Sequence, residues 1–172
     1  PILSAGKKEF EKIGVKLIIS EEKVIRTCFD KWETFLFGDN HNIELPKTYL
    51  TLNDVKDALN GRKLKFPLVV KPRWGTASIG IEFPETWEEL ELAYRLVSLK
   101  ISRSVLSNIS RQHLDKAVMI QEKIIGTEYG LDVLNDLSGK PVQVYAKEKL
   151  AMRAGETDKA ILRNKPELEE LG

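Results

Sequence analysis

The stretch FPLVVKPRWGTASIGI, residues 66–81, decides how the chain is read. Phe66 to Lys71 is an apolar, β-rich run closed by Pro72, and Ile79 to Phe83 reads as a second short strand beyond the loop from Arg73 to Ser78. Lys71 thus ends a strand beside a loop bearing Gly75 and Gly80. Its ammonium and the loop's backbone N–H groups can converge on a phosphate. From spacing alone, a solvated strand-end charge beside a turn glycine fits equally well. Gly75 and Gly80 have the Walker spacing, but Ile81 and Glu82 stand where Lys and Ser or Thr are required. A dinucleotide fingerprint fails too, because a strand rather than a helix follows.

On the C-terminal side, Thr86 with Glu89 forms a capping box for a long helix whose Trp87, Leu90, Tyr94, Val97 and Ile101 share one face. Val118 to Glu122, Tyr129 to Leu134 and Val142 to Leu150 read as strands, the last two joined by a turn at Asp136 to Lys140. Pro166 opens a short helix. On the N-terminal side, Thr51 and Asp54 cap a helix reaching Leu59. Ser20 caps a single helix to about Phe37, with Val24, Cys28, Trp32 and Phe35 on one side. Lys7 to Ile13 reads as a helix ended by Gly14, and Val15 to Ile19 as a strand. The expected class is α+β.

The 27 basic and 26 acidic residues nearly cancel, so the whole-chain field that would draw nucleic acid or an anionic membrane is weak, and neither is expected as a partner. Cys28 is the only cysteine, which excludes an internal disulfide and points to a reducing, cytoplasmic setting. Its helical neighbours predict a buried thiol. No apolar run approaches the roughly 18 to 20 residues of a membrane span. His41 and His113 have no partner at metal-ligand spacing and read as surface residues. Pro1 in place of Met leads to the expectation that the chain begins inside a longer protein.

Four blocks together resemble the ATP-grasp superfamily, with carbamoyl-phosphate-synthase-like large subunits the nearest in appearance. They are CFDKWETFLF with NIELPKTYL at 28–50, FPLVVKPRWGTASIGI, MIQEKIIGTEYGLDVL at 119–134 and MRAGETDKA at 152–160. The family's order and gaps are kept, although Asn42 replaces a family glycine.

The resemblance implies a fold and a set of roles. The fold is an ATP-grasp fragment: 1–26 the end of a preceding α/β domain, 27–62 connecting helices, 63–123 a lid subdomain with antiparallel strands and a long helix, and 124–172 the start of a second subdomain. Lys31 and Lys71 contact the phosphates of ATP, and Gly75, Thr76, Ala77, Ser78 and Gly80 form the flap. Gln121, Glu122 and Ile124 belong to the adenine hinge, and Glu128 accepts from the ribose hydroxyls. Arg153 lies in the block matching the family's catalytic loop, and Arg73, Lys147 and Lys149 add positive charge.

The reaction implied is ATP-dependent joining of a carboxylate and an amine through an acyl-phosphate, which requires Mg2+. The family's magnesium ligands fall downstream of MRAGET, so no metal residue is assigned. The isolated chain is expected to bind ATP weakly or not at all and not to turn it over. Two other readings stand beside this one: a non-catalytic nucleotide-binding or interaction module on the same fold, and a structural subunit without a ligand.

Overall fold

The computed structural model describes residues 1–75, 80–104, 107, 113–153 and 155–172. It is a mixed α+β molecule with antiparallel sheets, divided into two compact units at Ile124 and Ile125.

The first unit is built on helices α1 (Ile2–Ala5), α2 (Lys7–Lys12), α3 (Glu22–Phe29), α4 (Lys31–Asn40), α5 (Leu52–Asn60) and α6 (Trp87–Ser102), with strands β1 (Thr48–Tyr49), β2 (Leu68–Pro72) and β3 (Val118–Glu122). The strands run in the order β1-β3-β2, with Thr48 opposite Gln121 and Lys71 opposite Met119.

Side chains alternate across a strand, and the two faces of this sheet differ accordingly. Leu68, Val70, Val118 and Ile120 point into the core and meet Leu90, Ala93, Val97 and Ile101 of α6, all buried. Trp87 and Tyr94 pack at its margin. Lys71 and Gln121 lie on the opposite face, toward a cavity shared with α3 and α4.

Both expected N-caps form, but in neither does the acidic side chain take the capping threonine's own N–H. The Thr51 hydroxyl oxygen accepts from the Asp54 N–H at 3.1 Å and donates to its carboxylate at 2.6 Å. Thr86 accepts from the Glu89 N–H at 3.2 Å, while the Glu89 carboxylate reaches one residue further back, to the Glu85 N–H.

Four expectations are corrected in this unit. The single helix from Ser20 to Phe37 is two helices, because Asp30 is extended (φ −106°, ψ 108°) and caps α4; Glu21, not Ser20, precedes α3 and makes no side-chain cap. The break turns Phe29 inward against the core and leaves Val24 and Cys28 exposed, so the thiol is not buried. Val15 to Ile19 form no strand: among the described residues none pairs with them, and the carbonyl of Ile19 instead accepts from the Lys7 ammonium at 3.2 Å. The strand expected at Ile79 to Phe83 is reduced to one bridge between Val70 and Glu82; Ile79 lies outside the described residues.

The second unit is the sheet β4 (Tyr129–Asn135), β5 (Pro141–Arg153) and β6 (Glu156–Arg163), in that order, followed by α7 (Pro166–Glu169). The expected turn is made by Asp136, whose carboxylate accepts from the N–H groups of Ser138 and Lys140. Strand β6 is new: the MRAGETDKA block is the end of one strand and the start of the next, with Gly155 at φ 83° between them. Among the described residues of this sheet only Ala146 is buried.

Candidate functional site

Lys31 is the first residue of α4, and what places it is Asp30. The Asp30 carboxylate accepts from the backbone N–H of Trp32 at 3.0 Å and of Glu33 at 3.4 Å, fixing the helix start. The same carboxylate receives the Arg73 guanidinium, which arrives from the end of β2. Helix start and strand end are therefore joined by a buried, two-point ion pair. Arg73 was expected to add free positive charge near the phosphates; its charge is instead balanced by Asp30.

The backbone N–H of Lys31 donates to the Arg73 carbonyl at 3.2 Å, and its ammonium donates to the Gly75 carbonyl at 2.7 Å. A longer contact of 3.4 Å links the ammonium to the Arg73 carbonyl. On the sheet, Lys71 donates to the side-chain oxygen of Gln121 at 2.7 Å. Both ammonium groups are half-buried, and both are held by neutral oxygens.

Burial pushes the Lys31 ammonium below its usual range. The charge of Lys71 pushes it further in the same direction, against a smaller opposing pull from Asp30. Burial alone pushes Lys71 down. The two ammonium groups border one cavity of about 320 Å³, lined also by Cys28, Thr34, Phe35 and Met119, and Lys31 feels the charge of Lys71. Among the described residues no carboxylate pairs with either ammonium, and the site is the electrostatic complement of a polyanion.

Gly75 and Gly80 frame the loop that follows. Their φ values of 110° and 71° lie where a side chain is strained, so glycine is needed at both ends. Beside Gly80, Lys100 of α6 pairs with Glu82 at 2.7 Å. Thr76, Ala77 and Ser78 lie outside the described residues.

Beyond Gln121, the Glu122 N–H donates to the Lys47 carbonyl at 2.8 Å and its carboxylate accepts from the Lys47 N–H at 3.4 Å, and Ile124 is 65% exposed. Lys31, Lys71, Gly75 and Gln121 are thereby brought together within the first unit. Glu128 and Arg153 belong to the second. Glu128 pairs with Lys149 at 2.6 Å, and Lys147 with Asp132 at 2.6 Å, so both lysines expected to add charge are partnered. Arg153 is exposed at the end of β5, opposite Glu156.

Sequence reasoning did not find Thr48, a buried residue whose hydroxyl oxygen accepts from the Gln121 amide at 2.8 Å. Its place in the NIELPKTYL block was the available signal.

A family model described as an ATP-grasp domain matches residues 64–162. Among solved structures, the biotin carboxylase domain of Hydrogenobacter thermophilus 2-oxoglutarate carboxylase, crystallised with MgADP and bicarbonate, superposes with a TM-score of 0.70 at 18% identity, over 98% of this chain and 37% of that one. An L-amino acid ligase from Bacillus licheniformis gives 0.64 at 22% identity, over 95% and 38%. D-alanine-D-alanine ligase from Helicobacter pylori gives 0.59 at 20%, over 92% and 45%. The chain spans less than half the length of each of these three. No curated protein sequence matches it.

Proposed function

The chain belongs to the ATP-grasp domain family, and on that premise we propose that its first unit grips the phosphates of ATP for an ATP-dependent ligase. The observation that carries this reading is the pair Lys31 and Lys71, half-buried on one cavity and tethered, among the described residues, by the neutral oxygens of Gly75, Arg73 and Gln121. A triphosphate entering there replaces no counter-charge. It satisfies two ammonium groups that burial has already stripped of water.

In this reading Gly75 to Gly80, including Thr76, Ala77 and Ser78, cover the phosphates, Glu122 and Ile124 line adenine, Glu128 takes the ribose and Arg153 faces the transferring phosphoryl group. The parent reaction is the joining of a carboxylate and an amine through an acyl-phosphate, in the manner of the carbamoyl-phosphate-synthase-like enzymes. Magnesium supplies charge neutralisation to such a transfer. Among the described residues no three His, Cys, Asp or Glu side chains gather at metal-binding distance, so no step is assigned to it.

Calorimetric titration of the chain with ATP and with sodium tripolyphosphate tests the reading. Weak binding of both, weakened further in Lys71→Met and in Lys31→Met, is the expected result; affinity unchanged by either substitution would sink it.

A further inference from the structure

We propose that Thr48 is a positioning residue for Lys71, acting through the side-chain amide of Gln121. The proposal rests on the phosphate-gripping reading for its purpose, but its geometry stands by itself.

Three hydrogen bonds run in one direction. The Thr48 hydroxyl donates to the Pro46 carbonyl at 2.8 Å, which commits its only proton. Its oxygen is then left to accept, and it does so from the Gln121 NH2 group at 2.8 Å. That places the other end of the amide, the oxygen, toward Lys71, which donates to it at 2.7 Å. The reversed amide would set its oxygen against a hydroxyl with no proton to give and its NH2 against an ammonium, two mismatches at once. Thr48 therefore selects the orientation of Gln121, and Gln121 holds the ammonium.

The register explains why Thr48 can do this. It lies directly opposite Gln121 on β1, while Lys71 lies on the other neighbour of β3, opposite Met119, the residue two before Gln121. All three side chains share the face away from the core. Thr48 is 5% exposed, so water does not substitute easily for its oxygen. The charged group facing Lys71 across the cavity is Lys31, and burial leaves the Lys71 ammonium in need of a fixed acceptor.

The experiment compares Thr48→Val and Thr48→Ser in the full chain by two measurements: NMR titration of the lysine side chains without ligand, and calorimetry with sodium tripolyphosphate. In Thr48→Val the Lys71 signal is expected to titrate at lower pH than in the parent, and tripolyphosphate binding to weaken about three- to ten-fold. Thr48→Ser keeps the hydroxyl and should match the parent in both. A Lys71 titration unmoved in Thr48→Val, or displaced equally in the two variants, overturns the relay. Gln121→Met removes the middle of the chain from another direction: adding Thr48→Val to it should move Lys71 no further, and a further fall overturns the proposal. If the parent fails to bind tripolyphosphate while Lys71 moves as expected, the phosphate reading falls and the relay stands.

Discussion

Arg73 meets Asp30 side-on, with Nε 2.7 Å from Oδ1 and Nη2 2.7 Å from Oδ2, and both side chains are about nine-tenths buried. Because Asp30 also caps α4, one carboxylate serves two partners that lie far apart in sequence. Removing it leaves a buried guanidinium with only the longer contact to the half-exposed Glu33 carboxylate, at 3.6 Å. Asp30→Ala is expected to lower the unfolding free energy by about 3–5 kcal/mol in chemical denaturation. Arg73→Lys, which keeps the charge but loses the fork, should recover only part of that difference relative to Arg73→Ala.

Lys31 and Lys71 carry a pH signature. Each has a folded pKa below its ordinary value of 10.5, so the penalty for burying the charge is fully present below the folded pKa and is relieved as pH rises toward 10.5. Methionine at either position should therefore stabilise the ligand-free chain most at neutral pH, with the gain shrinking through the alkaline window. Polyphosphate binding favours the charged form, so in that window it should take up protons, measured as a dependence of the calorimetric heat on buffer ionisation enthalpy. Release of protons on binding would contradict the assignment.

Glu128 has a proposed ribose role that can be tested apart from phosphate recognition. Its pairing with Lys149 is largely exposed, so Glu128→Ala should change stability by less than about 1 kcal/mol. Affinity for ATP should fall while affinity for tripolyphosphate stays unchanged. Equal losses for both ligands would assign Glu128 to electrostatics rather than to the sugar.

Thr51→Ala removes an N-cap whose two hydrogen bonds are both present. A loss of about 1 kcal/mol is expected, read from the denaturation midpoint at constant slope.

What was legible in the sequence was what local chemistry decides. Thr51 and Thr86 cap because their partners are three residues away, and β2 and β3 are apolar runs that any sheet would recruit. The strand expected at Val15 to Ile19 failed for the opposite reason: an apolar run becomes a strand only where a neighbour offers its backbone, and the sequence does not show the neighbour. The continuous spacing of Val24, Cys28, Trp32 and Phe35 hid the break at Asp30, whose carboxylate is recruited by a residue 43 positions away. Strand β6 was missed because its first four residues are polar and its apolar ones, Ala160 to Leu162, are consecutive, so the alternation that marks a half-buried strand is lacking; all eight residues are exposed. Within the site, the lysines and Gly75 were readable through the resemblance. The role of Thr48 depended on a pairing 73 residues long.

The oxygen that holds Lys71 belongs to an amide, and this has a consequence for how such a site could be lost or redesigned. Exchanging the amide nitrogen of Gln121 for oxygen, as Gln121→Glu does, keeps the size of the side chain and gives the ammonium a carboxylate of its own. The cavity would then hold one uncompensated cation instead of two, and the Thr48 oxygen would face an atom with no proton to share. On the phosphate-gripping reading, a change of one heavy atom would thus weaken the cavity's hold on a polyanion while leaving Lys31 and Lys71 both in place.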